Sequence, residues 1–345
     1  LWEPWTIKNK SGNPYKVFTP FYKSGCLKSV APRKPIKKPK KIAFNKIKTN
    51  LIEHEFNYSY QKDHWSNKFQ KYWEVGEIGA IKNFDRFLEN GAKNYSIGRN
   101  FPSTENVSRL SPYLHWGEIS PFEVWYQANN KMYGENKKVF LSEIGWREFS
   151  YHLLYNFPSL QEENLKSNFN SFPWEEDHIL LKKWEKGLTG YPIVDAGMRE
   201  LWETGYMHNR VRMITSSFLV KNLLLNWKHG KNWFWDCLLD ADAASNSASW
   251  QWVAGTGTDA TPFFRIFNPI TQSQKFDENA NYIKKYLPEL QNLPTKMVFS
   301  PFEHDKSVLK NYGVVLGENY PFPIIDYSES RKRALNSYTN FISNN

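Results

Sequence analysis

Three short segments carry residue types that could do chemistry together. In Glu143-Ile144-Gly145-Trp146-Arg147, positions 143, 146 and 147 share one helix face, so a carboxylate, an indole and a guanidinium point the same way. Such a face suits an i,i+4 Glu–Arg pair beside a packing tryptophan. It equally suits a site where the indole stacks on a planar ligand and the charged groups hydrogen-bond to it. In His208-Asn209-Arg210-Val211-Arg212-Met213, Asn209 faces with Arg212 and Met213 while Arg210 turns away, and two arginines on different sides imply two different partners. In Leu239-Asp240-Ala241-Asp242, followed by Asn246, Trp250 and Trp252, small residues let a flat ligand approach the backbone. Taken singly, each segment is more often structural than functional.

Other chemistries lack their signatures. There is no GxSxG elbow, HExxH motif or P-loop. Gly255-Thr256-Gly257-Thr258-Asp259-Ala260 fits G-x-G-x-x-A. However, Trp250-Gln251-Trp252 precedes it where a buried strand is required, and Pro262 interrupts the helix that should follow. Cys26 and Cys237 cannot build a disulfide framework or a cysteine metal site, and the eight histidines show no ligand spacing.

The elements that must position these residues read as helices. Val75, Ile78, Ile81, Phe84 and Leu88 recur at three- to four-residue spacing up to Gly91. Ser120-Pro121-Phe122-Glu123 is a capping box opening a helix that ends near Gly134. Further helices are expected over about 138–156, from Pro192 to about Gly205, and from about His208 to Trp227. Alternating strand patterns are scarce. The expectation is one all-α body over 73–345, preceded by an irregular Pro-, Lys- and aromatic-rich stretch over 1–72.

Of the 345 residues, 40% are hydrophobic and 17% aromatic, enough for a large core and too apolar for disorder. No apolar run reaches eighteen residues and no leader stands at the start, so a soluble, cytoplasmic protein is expected. The net charge of +10 is unevenly spread. Residues 1–50 hold thirteen Lys or Arg against Glu3 alone, leaving the body near −2. The basic stretch 33–41 is Pro-rich and reads as a solvated, extended connector, so any polyanion surface must be local, on the body.

Together the segments resemble the photolyase/cryptochrome flavoproteins. The likeness rests on Tyr95 with Arg99-Asn100-Phe101-Pro102, on Ser108-Arg109-Leu110-Ser111-Pro112-Tyr113-Leu114-His115-Trp116-Gly117-Glu118, and on Trp146-Arg147-Glu148-Phe149. It extends over TGYPIVDAGMRELWETGYMHNRVRM (189–213) and LDADAASNSASWQWVAGTGTDATPFFRIFNP (239–269). It covers essentially the whole chain and is nearest the bacterial class I type. Residues 1–25, with KVFTPF at 16–21, are similar to the end of that family's antenna domain and the start of its connector, most of the antenna domain being absent.

The resemblance implies a helical domain, 73–345, holding FAD through Tyr95, Val107, Ser108, Arg109, Leu110, Ser111, Arg147, Asn209, Arg212, Asp240, Asp242 and Asn246. Hydroxyl and backbone N–H groups of 107–111 would bind the pyrophosphate, Arg212 would pair with Asp240, and Asn246 would sit against the flavin's reactive nitrogen. Val107 stands where the family usually has Thr, so backbone contacts must suffice there, and Phe140 replaces a tryptophan common in bacterial relatives. The implied partner is UV-damaged DNA containing a pyrimidine dimer. Glu143, Trp146, Asn209, Met213 and Trp252 would form the substrate face, with Trp146 and Trp252 as walls for the flipped dimer. Arg99, Arg210, Arg265 and Gln272 would contact the DNA backbone. Trp250, Trp227 and Trp174 match an electron relay.

The implied reaction is light-driven splitting of a cyclobutane pyrimidine dimer by an electron lent from reduced FAD, with Glu143, Asn246 and Met213 as the catalytic set. A folate- or deazaflavin-type antenna chromophore would belong to the full-length protein only. A monomer is expected, nucleoid-associated if bacterial. A signalling cryptochrome is one alternative; a six-four photolyase, which typically carries His at the position of Met213, is another.

Overall fold

Helix Gly134–Asn156, a proline-free run of 23 residues, is the spine of one half of the molecule and spans about 35 Å. It starts four residues before the expected position because Glu135 supplies an acid to the first turn, where the helix dipole favours it. The computed structural model describes residues 1–37, 39–43 and 64–344, which among them form helices and two isolated bridges but no strand.

Several helices differ from the sequence expectation for identifiable reasons. In and beside helix Glu77–Arg86, the periodic residues Val75, Ile78 and Ile81 face solvent while Phe84 is buried and Leu88 half-buried as expected, and Ala80 and Phe87 complete the buried face. The buried face is set by ring packing, since Phe84 and Phe87 stack on Phe140 at 6.3 and 5.2 Å. Helix Pro121–Lys131 keeps only half of its capping box. Ser120 accepts from the Phe122 N–H, while Glu123 accepts from Gln127 rather than returning to the cap. The single helix expected over 208–227 is two. Asn209–Ser217 widens into a π-turn over Phe218–Asn222, Leu224 takes a left-handed φ of 55°, and Asn226 caps a new helix, Trp227–Cys237, by accepting from the Lys228 N–H. Helix Pro192–Thr204 ends at Gly205 as expected.

Besides a small cluster of Phe169, Phe172, Leu224, Phe263, Ala334 and Phe341, two large hydrophobic cores result. One gathers Pro192–Thr204, Asn209–Asn222 and Trp227–Cys237 with the segments from Ala280 to Tyr320. The other gathers Glu77–Gly91, Pro121–Lys131 and Gly134–Asn156. Helix Ala243–Ala254 bridges them, with Ala248 packed on the second core and Trp250 and Val253 in the first. Being buried on opposite sides, it carries apolar or small residues at every position but Asn246 and Gln251. The G-x-G-x-x-A stretch follows this helix rather than a strand.

Ile7, Phe18, Phe21, Tyr22 and Cys26 enter the second core, and Phe18–Lys28 forms helical turns. Residues 33–37 and 39–41 of the basic stretch are neither helix nor strand; Lys38, and positions 44–63 of the stretch expected as connector, lie outside the described residues. Among the described residues no helix is long and apolar enough to cross a membrane, and no His/Cys/Asp/Glu group could hold a metal.

Candidate functional site

A cavity of about 640 Å³ opens at the seam between the two cores, within the range usual for cofactor pockets. All twelve positions implied for the flavin line it, as do Glu143, Trp146, Met213, Trp252, Arg99 and Arg210 of the implied substrate face. Arg265 and Gln272 do not line it, nor do Trp227 and Trp174.

One end of the cavity is built for an anion. Arg109 has φ +50° and is followed by Leu110 in a right-handed conformation, the alternation that turns successive N–H groups toward one point. The Arg109 guanidinium lies 4.7 Å from the Trp73 ring and 4.9 Å from that of Tyr206, and its buried Nε has no protein partner. Arg212 donates to both Asp240 oxygens, at 3.0 and 2.8 Å, and the Ser111 hydroxyl donates to the same carboxylate at 2.5 Å. Burial works against the Arg212 charge, but the Asp240 carboxylate outweighs it and raises the guanidinium pKa. Asp242 caps helix Ala243–Ala254 by accepting from the Ser245 N–H and also accepts from the Tyr151 hydroxyl at 2.5 Å. Burial, then that hydrogen bond, pushes Tyr151 up to about 12. The Asn246 amide donates to the Lys231 carbonyl at 3.0 Å.

Trp250 lies flat against helix Trp227–Cys237 because position 230 is glycine; a Cβ there would come within 2.0 Å of the indole. Burial falls along the proposed relay, from Trp250 and Trp227, both buried, to Trp174, partly exposed.

At the mouth, Glu143 pairs with Arg99, not with Arg147, which pairs with Glu148 at 3.1 Å and lies over the Tyr151 ring. The i,i+4 pair fails because Arg99 reaches Glu143 from a neighbouring element. Arg210 does not turn away from Met213. Its Nη1 stands 3.8 Å from the Met213 sulfur, its Nη2 donates to Asn100, and its plane covers Phe276 at 4.4 Å. The expectation of two partners for the two arginines holds, with Asn100 for Arg210 and Asp240 for Arg212. Burial, then the charges of Arg99 and Arg265, lowers the Arg210 pKa, so these three arginines form one positive patch. Gln272 shares a helix face with Phe276, four residues on, and therefore lies on the same side as Arg210. Sequence reasoning missed Tyr151, Asn100 and Asp259. Tyr151 carried a signal, four residues after Arg147 on the same helix face.

Residues 140–340 match the family model described as the FAD binding domain of DNA photolyase. A deoxyribodipyrimidine photo-lyase of Agrobacterium fabrum is 46% identical over 98% of this chain and 71% of its own length. Cryptochrome-1 of Arabidopsis thaliana is 37% identical over 96% of this chain and 50% of its own. The crystal structure of a bacterial class III photolyase from Agrobacterium tumefaciens superposes with a TM-score of 0.94 at 45% identity, covering 99% of this chain and 72% of that one. The class I type is the expectation from sequence, whereas this structural relative is described as a class III photolyase. With a helical fold, a seam cavity and these relatives in agreement, the chain belongs to the DNA photolyase family and carries its FAD-binding domain.

Proposed function

We propose that this chain is the catalytic part of a deoxyribodipyrimidine photo-lyase, splitting cyclobutane pyrimidine dimers in DNA under light. The observation that carries the reading is one cavity lined by an anion cradle, an Arg–Asp pair and a buried tryptophan, with a mouth of aromatic and cationic side chains. FAD, when bound and reduced, supplies an electron on excitation.

The chain's own residues do the rest. The N–H groups of 107–111 and the Ser108 hydroxyl hold the pyrophosphate, with Ser111 tied to Asp240 and Arg109 orienting the loop; the orphaned Arg109 Nε is a donor in search of an acceptor there. Tyr95, Val107, Ser108, Arg147, Asn209 and the Arg212–Asp240 pair fix the cofactor's remaining groups, Asp242 stiffens the helix that carries Asn246, and Asn246 presents a neutral amide beside the reactive ring. Trp146 and Trp252 wall the damaged bases, and unstacking is easiest for a damaged pair. The Glu143 carboxylate accepts a hydrogen bond at the dimer, and Arg99 holds it in place. Met213 packs beside it, while Arg99, Arg210 and Arg265, with Gln272, contact phosphates and so position without specifying. Trp174, Trp227 and Trp250 pass electrons inward from the surface to the cavity wall.

The partner is DNA carrying a dimer, met by a monomer, in the cytoplasm and on the nucleoid in a bacterium. A folate- or deazaflavin-type antenna belongs to the proposal for a longer protein containing this chain, and absorbance beyond the flavin bands tests it. Repair of a dimer-containing oligonucleotide by the reduced, FAD-loaded chain in light but not in darkness is the expected result. Photoreduction without repair of either lesion would turn the reading to a cryptochrome, and repair of the six-four lesion alone to a six-four photolyase.

A further inference from the structure

The segment KVFTPF, residues 16–21, has no part in the proposed function, yet it reaches both walls of the proposed damage pocket. The Phe18 ring lies face to face with Trp146 at 3.8 Å and 11°, and Tyr22 stacks on Phe18 at 5.5 Å and 10°. Tyr22 gains its place because residue 145 is glycine; a Cβ there would come within 2.6 Å of the tyrosine ring. One face of the Trp146 indole is thus covered by Phe18, which is itself backed by Tyr22. The backbone of the segment makes the second connection. The Phe18 N–H donates to Asp259 Oδ2 at 2.7 Å, and Asp259 lies in the loop after helix Ala243–Ala254, the helix that carries Trp252. That loop folds back on the same tryptophan, since the Thr261 N–H donates to the Trp252 carbonyl at 3.1 Å.

Asp259 is partly exposed and lines the cavity. A carboxylate at the mouth of a site for a polyanion opposes binding through space, so its place there calls for a function other than touching DNA. A Phe18 N–H that donates to this short side chain supplies one.

We infer that Phe18 and Asp259 are positioning residues that tie the Trp146 wall to the Trp252 loop and set the width of the damage pocket. The inference rests on the proposed function, and it predicts a division between geometry and charge. Asp259→Asn keeps an oxygen acceptor for the Phe18 N–H and removes a negative charge. Asp259→Ala removes both.

The test uses FAD-loaded protein and, in darkness, a labelled duplex with one cyclobutane thymine dimer against the undamaged duplex, together with amide hydrogen exchange. Asp259→Ala should lose at least fivefold of the preference for damaged DNA, with the Phe18 amide exchanging at least tenfold faster and FAD content unchanged. Asp259→Asn should keep both preference and protection, and bind undamaged DNA at least as well as wild type. Phe18→Leu should lose preference as Asp259→Ala does. Equal losses in Asp259→Ala and Asp259→Asn would overturn the inference, as would an unchanged preference or an unchanged Phe18 exchange rate in Asp259→Ala. A wild type without preference for the dimer would overturn the functional reading itself. A wild type with that preference beside an indifferent Asp259→Ala would overturn the tether alone.

Discussion

His208 gives the folded chain a specific weakness in acid. It is buried at the cap of helix Asn209–Ser217, where its Nδ1 accepts from the Arg210 N–H at 3.2 Å. Burial, then the charges of Arg210, Arg212 and Arg99, lowers its pKa from 6.5 to about 3; its backbone N–H, not its ring, donates to the Glu200 carboxylate. The unfolded chain takes up a proton near 6.5 and the folded chain does not, so the stability is present above 6.5 and is lost as pH falls toward 3. At 1.36 kcal/mol per pH unit, the loss relative to pH 7 is about 2 kcal/mol at pH 5 and about 3 kcal/mol at pH 4. Asn is among the best helix caps and does not titrate. His208→Asn should therefore differ from wild type by a constant packing offset at pH 7, on which a relative gain of those sizes appears at pH 5 and 4. Urea unfolding of both proteins at the three pH values measures it, and flavin release should follow, because the same helix carries Asn209 and Arg212. An offset that stays constant with pH would refute the reasoning.

Trp250→Phe should block light-driven reduction of oxidised FAD yet repair normally after chemical reduction with dithionite, whereas Trp146→Ala should keep photoreduction and lose about 1–3 kcal/mol of affinity for damaged DNA. Parallel loss of flavin content, photoreduction and repair in both variants would mean that the two tryptophans only pack. Arg210→Ala should flatten the salt dependence of DNA binding by about one unit of slope, and deletion of 33–41 should do less; titrations at several salt concentrations rank them. Asp240→Ala leaves the Arg212 guanidinium without its carboxylate, so it should cost about 3–5 kcal/mol and deplete FAD, read by urea unfolding and by absorbance of the purified protein.

What could be read in advance followed the range of the signal. Pro192 at a first helical position and Gly205 after a last one are local, and the helix between them is where the sequence put it. The pairing of Arg212 with Asp240 spans 28 positions, and it was reachable because both residues sit in long family motifs. Periodicity alone found Phe84 but also selected Val75, Ile78 and Ile81, which are as apolar as Ala80 and Phe87, and the decision between them lay with Phe140 on another helix. The break at Leu224 was hidden in an apolar run, although Asn226 is an ordinary cap residue and marks the restart. Asp259 offered no local pattern, because its partner lies 241 positions away.

The seam itself has a thermodynamic meaning. Because the cavity divides two cores and helix Ala243–Ala254 is shared by both, a ligand seated there joins two bodies that otherwise meet over less material. Occupancy is then a folding term: a ligand at a thousand times its dissociation constant adds about 4 kcal/mol to the native state alone. Chains made faster than the cofactor is supplied would spend longer with the seam open, and the melting temperature of any preparation would record how fully it had been filled.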